Sequence, residues 1–198
     1  PADLEAARRV CHVVEGLPLG LELAAAWAKV LGLGEIAEEI EKNLGSLRSP
    51  EGDEARPERH RSLRAVFESS WRLLHPEEQR VLARLAVFRG GFDREGAAQV
   101  AGASVSGLLG LVNLSLVQRD PHHGGRYLMH ELLRQFAYEK LSPAAREDAL
   151  QVHAEHFRAF ARRAEPELRG PEQVSWIHRV ELELDNLRAA LGTLERLG

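Results

Sequence analysis

The stretch SVSGLLGLVNLSLVQRDPHHGGRYLM, residues 104–129, decides the fold, because the spacing of its apolar residues changes partway along it. Residues 104–114 have the three- and four-residue apolar spacing of a helix. Two short runs, 116–119 and 126–129, then flank DPHHGG at 120–125, a sequence typical of a hairpin loop. Helices followed by a single β-hairpin predict a winged helix-turn-helix.

Helical patterns lie on both sides of this stretch. Upstream, apolar residues at helical spacing predict helices over residues 3–15, 18–31, 35–43 and from Ser62 onward. Downstream, a helix is predicted from His130 to Lys140, and paired helices follow from Pro143, as at the start of a helical repeat array. We therefore predict a mainly α fold: a helical bundle fragment, a winged helix-turn-helix with one β-hairpin, and TPR-like helices.

These patterns divide the chain into four predicted parts. Residues 46–59 carry Gly, Ser, Pro and charged residues without an apolar period, which predicts a linker. The other parts are a helical subdomain at 1–45, a winged-helix domain at 60–142 and the start of a helical repeat domain at 143–198.

Composition excludes several classes of protein. The 198 residues include 26 Lys+Arg, 30 Asp+Glu and 44% hydrophobic residues, which is typical of a globular protein and not of a disordered or membrane-spanning one. The single cysteine, Cys11, excludes a disulfide framework and predicts a reducing, cytoplasmic setting. Its place in an apolar stripe predicts a packed, inert thiol. Since the first residue is Pro1, we expect a piece of a longer protein.

Six segments occur in the order expected of one family. They are VEGLPLGLELA (14–24), RHRSLR (59–64), SW followed by LHPEEQ (70–79), LAVFRGGF (85–92), MHELLR (129–134) and ELDNLRAAL (183–191). In this order the chain resembles the STAND nucleotide-switch proteins, the group that includes NB-ARC and apoptotic ATPases and large bacterial LuxR-type regulators. The resemblance covers essentially the whole chain, from the helical domain through the winged helix to the superhelical sensor region.

The resemblance implies a regulatory role that depends on ADP or ATP. In that family a P-loop domain binds the nucleotide, and the helical and winged-helix domains close over it until a signal arrives. By resemblance, Pro18 would contact the adenine and His130 the β-phosphate, whereas Glu131 departs from the family's Asp. The implied partners are an upstream P-loop domain of the same chain and a protein or ligand signal at the C-terminal helices, with an oligomeric active form.

The residues themselves support His130 and argue against catalysis. His130 is predicted where a strand leads into a helix, and the free N–H groups of a helix's first turn favour an anion there. No Gly-x-x-x-x-Gly-Lys-Ser/Thr motif occurs in the sequence, so the chain lacks the phosphate loop needed for hydrolysis. We expect no enzymatic activity and no cofactor bound to this segment alone.

A winged helix also suggests a DNA-binding transcription factor module, which is the alternative prediction. The expected recognition helix, residues 104–114, has no Lys, Arg or Gln and offers only Asn113 near its end, although groove-reading helices need basic and amide side chains. The predicted hairpin at residues 116–129 corresponds to the wing of such a fold. Four of its residues could contact a phosphate backbone weakly: Arg119, His122, His123 and Arg126. A metal site at His153 and His156 lacks a third ligand, and a solvated helix face is the favoured interpretation of that pair.

Overall fold

The computed structural model of the chain describes residues 2–46 and 58–197. Within these residues the protein is mainly helical with one three-stranded antiparallel sheet, so the predicted fold class is confirmed. The helices are α1 (Ala2–Val13), α2 (Pro18–Trp27), α3 (Leu33–Ser46), α4 (Glu58–Leu73), α5 (Pro76–Leu85), α6 (Arg94–Ala101), α7 (Val105–Asn113), α8 (Glu131–Glu139), α9 (Pro143–Glu167), α10 (Gln173–Leu182) and α11 (Leu184–Leu197). The strands are β1 (Phe92–Asp93), β2 (Gln118–Arg119) and β3 (Arg126–Leu128).

The contacts between residues divide the chain into two compact units. The first comprises the described residues of Pro1–Gln79 together with Gly110–Leu116, and the second comprises those of Arg80–Leu109 and Val117–Gly198. Most of the predicted linker at 46–59 lies outside the described residues. The division into four parts inferred from the sequence stays a prediction.

The core of the first unit lies where α3 packs against α1 and α4, and α2 also packs against α4. Leu23 and Trp27 of α2 are fully buried, as are Ile36 and Ile40 of α3. In both helices the buried pair is four residues apart, which places its members on one helical face. The chain turns between α1 and α2 at Gly16, whose φ of 66° costs glycine little.

The sheet lies in the second unit, with β3 as its central strand. β1 and β2 both pair antiparallel with β3, and Phe92 faces Tyr127 while Gln118 faces Leu128. Strands β2 and β3 form the predicted hairpin. Strand β1 was missed, because two residues are too few to show the alternation that indicates a strand. The elements α5, β1, α6, α7, β2 and β3 follow one another in winged-helix order.

Helix α9 connects the winged helix to the C-terminal helices. It packs against α6 on one side and against α10 and α11 on others. Ser142 caps α9 by accepting a hydrogen bond from the backbone N–H of Ala145 at 3.3 Å. Phe157 and Phe160 of this helix are buried, whereas α10 has no buried residue.

Two predictions about individual side chains were wrong. Cys11 is exposed, because the buried side of α1 is the one that carries Val10, and Cys11, the next residue along the helix, points about 100° away from it. His153 is fully buried and does not lie on a solvated face, because α11 packs over that side of α9.

Candidate functional site

His130 lies at the first turn of α8, where the sequence placed it. It is the exposed N-cap residue, and its Nδ1 accepts a hydrogen bond from the backbone N–H of Leu132 at 3.2 Å. Since Nδ1 accepts, the neutral imidazole carries its proton on Nε2. His130 therefore offers a ring N–H donor at the positive end of the α8 dipole.

Glu131, the residue that departs from the family's Asp, pairs with Arg134 in the same helix. The Arg134 guanidinium donates to both carboxylate oxygens at 2.7 and 2.8 Å, and these bonds lower the pKa of Glu131 from 4.5 to about 2. Arg134 is buried and also donates to the carbonyl oxygen of Ala86 at 2.9 Å. The pair thus ties the start of α8 to the chain just after α5.

Pro18 is exposed at the first position of α2. Its missing N–H costs nothing there, because the first N–H groups of a helix have no partner within it. Behind it, Gly20 lies so close to Val14 that an added Cβ would be 3.0 Å from the Val14 Cβ. Pro18 belongs to the first unit and His130 to the second, so the structure describes the two candidate nucleotide contacts separately.

The predicted recognition helix corresponds to α7. Its exposed side carries Val105 and Leu109, which are 56% and 57% exposed. Ser104 precedes the helix and accepts a hydrogen bond from the backbone N–H of Gly107 at 3.0 Å. A base edge in the major groove requires hydrogen-bonding or charged side chains, and the exposed polar side chains of α7 are limited to Ser106 and Asn113, one near each end.

The wing offers fewer phosphate contacts than its sequence indicated. Arg126 is buried and forms an ion pair with Glu183, so it is unavailable to a phosphate backbone, contrary to the prediction. His123 bonds to Asp120 through Nδ1 at 2.9 Å. Arg119 and His122 remain exposed.

A buried polar network joins the wing to the start of α11, and it was not predicted from the sequence. The fully buried Asn186 accepts from the backbone N–H of Arg89 at 2.6 Å and donates to the carbonyl oxygen of Gly91 at 2.9 Å. It also donates to Glu183 at 2.8 Å, and Glu183 in turn holds Arg126. The ELDN sequence at residues 183–186 was the available signal.

His153 completes this network from α9. Its Nε2 lies 3.3 Å from Oδ1 of Asn186, while its Nδ1 is buried without a hydrogen-bond partner in the described structure. Burial lowers the pKa of His153 to about 4, so the ring is neutral at pH 7. Its ring also packs against Phe88 and Phe157, with centroids 5.1 and 4.7 Å away.

His153 and His156 do not form a metal site with a third ligand. His156 instead bonds through Nδ1 to Gln99 at 2.8 Å, and burial lowers its pKa. Among the described residues, no group of three or more His, Cys, Asp or Glu side chains is placed to hold a metal ion. No helix in the described ranges is long and apolar enough to cross a membrane.

Comparison with known proteins finds relatives among mycobacterial regulators. The chain is 33% identical over 189 residues to a Mycobacterium tuberculosis H37Rv protein named "Putative HTH-type transcriptional regulator", covering 91% of this chain and 21% of that protein. A Mycobacterium bovis protein of the same description matches to the same extent. An uncharacterized M. tuberculosis protein is 34% identical over 152 residues, covering 71% of this chain and 38% of its own length.

The chain therefore spans about a fifth of the length of the regulators that it matches. No family model matches the sequence. No solved structure matches it either. The relatives' names agree with the predicted role in transcriptional control and give no support to the STAND resemblance. They favour the alternative, a DNA-binding regulator module, over the nucleotide-switch prediction.

Proposed function

We propose that this chain is a regulatory segment of a longer transcriptional regulator, in which His130 contacts a bound ADP and the winged helix responds to its release. The observation that carries this proposal is the position of His130 at the N-terminus of α8, exposed and with Nδ1 already occupied by Leu132. That arrangement leaves Nε2–H to donate to a phosphate oxygen, where the helix dipole also favours an anion.

The neighbouring charges suit this role. Glu131 would repel a phosphate if it were unpaired, but both of its oxygens are held by Arg134. Arg134 also donates to the carbonyl oxygen of Ala86, so a displacement of the α8 N-terminus would shift or break this hydrogen bond to the segment after α5. This connection is the proposed route from the nucleotide to the winged helix. Pro18 is the proposed adenine contact from the first unit.

Catalysis has no part in the proposal. The 198 residues lack a phosphate-loop motif, so nucleotide binding and any hydrolysis are assigned to another part of the longer protein. With two proposed contacts, this chain alone should bind ADP no more tightly than about 1 mM. Micromolar affinity in isothermal titration calorimetry would contradict this assignment.

The nucleotide role is tested by the dissociation rate of a fluorescent ADP analogue from the full-length protein. We expect His130→Ala to speed release about tenfold, which corresponds to the loss of one charge-assisted hydrogen bond. His122→Ala is the matched control, since it removes another exposed histidine of the same unit that has no proposed nucleotide contact. Equal release rates for wild type and His130→Ala would refute the nucleotide role.

DNA binding by this chain is the second candidate, and the names of its relatives favour it. Against it stands α7, whose exposed side carries Val105 and Leu109 in place of groove-reading residues. Fluorescence anisotropy with duplex DNA at physiological salt separates the candidates. We expect weak, salt-sensitive and sequence-independent binding through Arg119 and His122. Sequence-dependent binding at nanomolar concentrations would establish the DNA-binding function instead.

A further inference from the structure

A large cavity opens within the second unit. It has a volume of about 1240 Å³ and lies among the first turn of α6, the wing, α9 and α10. Small-molecule sites typically occupy about 300–1,000 Å³, so the cavity has room for an organic ligand together with water. His130 is not among its lining residues, so the cavity is separate from the proposed nucleotide contact.

One part of the cavity lining is aromatic. The residues concerned are Phe88, Phe92, Tyr127, Phe157 and Phe160. Phe92 and Tyr127 are stacked, with ring centroids 5.9 Å apart and planes 17° apart. The four phenylalanine side chains are at most 7% exposed and form the base of the cavity, so the half-buried Tyr127 is the ring with surface left to contact an apolar molecule.

Another part of the lining is cationic, and its charges are available. Arg94, Arg119 and Arg163 all line the cavity, and none of them forms an ion pair with another described residue. Each guanidinium presents several N–H donors suited to a carboxylate, sulfonate or phosphate.

The acidic residues in the lining are already engaged. Glu183 pairs with Arg126, and Asp93 caps α6 by accepting from the backbone N–H of Gly96 at 2.7 Å. Glu95 accepts a hydrogen bond from Gln99 at 3.1 Å. The carboxylates thus have hydrogen-bond partners within the protein, whereas Arg94, Arg119 and Arg163 form no ion pair among the residues that the structure describes. This imbalance favours a negatively charged ligand.

The wing at the cavity is held in a defined conformation. Asp120 accepts from the backbone N–H of His122 at 2.8 Å and from the His123 ring at 2.9 Å. Hydrogen bonds from His122 and His123 lower the pKa of Asp120 to about 2, so the carboxylate that fixes the loop stays ionised. The His123 ring lies 5.9 Å from that of His178 on α10. The wing therefore meets α10 before any ligand binds.

From this arrangement we propose that the cavity binds a small amphipathic organic anion, with its apolar body against Tyr127 and its acidic group among Arg94, Arg119 and Arg163. A ligand seated there contacts the wing and α10 together and stabilises their contact. The site goes beyond the proposed nucleotide role and does not depend on it.

Two probes that differ only in their charged group test the proposal. They are 8-anilinonaphthalene-1-sulfonate and its neutral counterpart N-phenyl-1-naphthylamine, titrated into the chain while fluorescence is recorded. We expect one saturable site for the sulfonate, with an affinity about tenfold higher than that of the neutral probe, as one charge-assisted contact predicts. The sulfonate's advantage should shrink as salt rises.

Arg163→Gln and Arg162→Gln provide the matched variants. Both residues are exposed on α9, but Arg163 lines the cavity and Arg162 does not, so neither change should affect folding. Arg163→Gln should weaken sulfonate binding severalfold and leave the neutral probe unchanged, whereas Arg162→Gln should change neither. Equal affinities for the two probes, or equal effects of the two variants, would overturn the proposal.

Discussion

Replacing Asn186 with alanine tests whether the buried network holds the wing to α11. Asn186 is fully buried and contacts four groups: the Arg89 N–H at 2.6 Å, the Gly91 carbonyl at 2.9 Å, Glu183 at 2.8 Å and His153 at 3.3 Å. Alanine removes all four contacts.

The expected loss of stability depends on which hydrogen bonds each partner of Asn186 keeps in the variant. Glu183 keeps its ion pair with Arg126, and the N–H of the exposed Arg89 can bind water. His153 keeps no hydrogen bond among the described residues, because its Nδ1 already lacks a partner. The two hydrogen bonds that nothing replaces, to Gly91 and His153, are worth about 1 kcal/mol each, and leaving the buried His153 unpaired costs about 1–3 kcal/mol more, so Asn186→Ala should lower the free energy of unfolding by about 3–5 kcal/mol.

Urea unfolding followed by tryptophan fluorescence and circular dichroism measures this loss. With a slope of about 2 kcal/mol/M, the urea midpoint should fall by about 1.5–2.5 M. Asp185→Ala is the control, since that side chain is 64% exposed and pairs with the equally exposed Arg188, and its effect should be below about 0.5 kcal/mol. If the two variants unfold at the same urea concentration, the network does not carry the stability assigned to it.

Three further changes test single features of the second unit. Glu131 has its pKa lowered from 4.5 to about 2 by Arg134, so its pair stabilises the fold above about pH 4.5 and loses this effect as the pH falls toward 2. Since the Glu131 side chain is 58% exposed, Glu131→Gln should lower the free energy of unfolding at pH 7 by about 1 kcal/mol or less. The free energy of unfolding of the variant should also depend less on pH in the acid range. An unchanged pH dependence would contradict the role of the pair. Burial lowers the pKa of His153 from 6.5 to about 4, so the unfolded chain binds a proton at a higher pH than the folded one and the free energy of unfolding falls as the pH falls between these values. In urea unfolding at pH 7 and pH 4.5, His153→Leu should remove this difference between the two midpoints. A difference that persists in the variant would rule out this histidine as its source. Gly91→Ala places a Cβ 2.6 Å from the backbone oxygen of Tyr127 in β3, whereas the Cβ of Gly102→Ala, at a similarly positive φ, meets nothing within 4 Å. In thermal unfolding, Gly91→Ala should therefore be less stable than Gly102→Ala by about 2 kcal/mol or more. Equal melting temperatures of the two variants would argue against the close approach.

The helices and the hairpin could be predicted because their signals are local. The change of apolar spacing after residue 114 and the DPHHGG loop at 120–125 placed β2 and β3 correctly. The stop at Gly16 and the start at Pro18 were also identified, since these residues act through their own backbone geometry. Strand β1 was not, because a two-residue strand exists only through its pairing with β3.

The candidate sites were predicted less well, for a related reason. The sequence placed His130 at a helix start, which is a local property. It gave no indication that Arg126 would be buried against Glu183, 57 residues away, or that Asn186 would bond to the backbone at Arg89 and Gly91. The burial of His153 and the exposure of Cys11 depended likewise on which helical faces other elements cover.

The amino-acid sequence by itself determined where helices begin and end, where the hairpin turns and that α7 carries no Lys, Arg or Gln, because each of these follows from residues adjacent in the chain. Only the tertiary structure decided which polar side chains are buried and which stay exposed to solvent. Packing of the wing and the C-terminal helices in the second unit buried Arg126, His153 and Asn186 as partners and left Arg94, Arg119 and Arg163 to line a cavity. Burial and pairing between residues far apart in the chain depend on how whole elements pack together, and no local spacing encodes that.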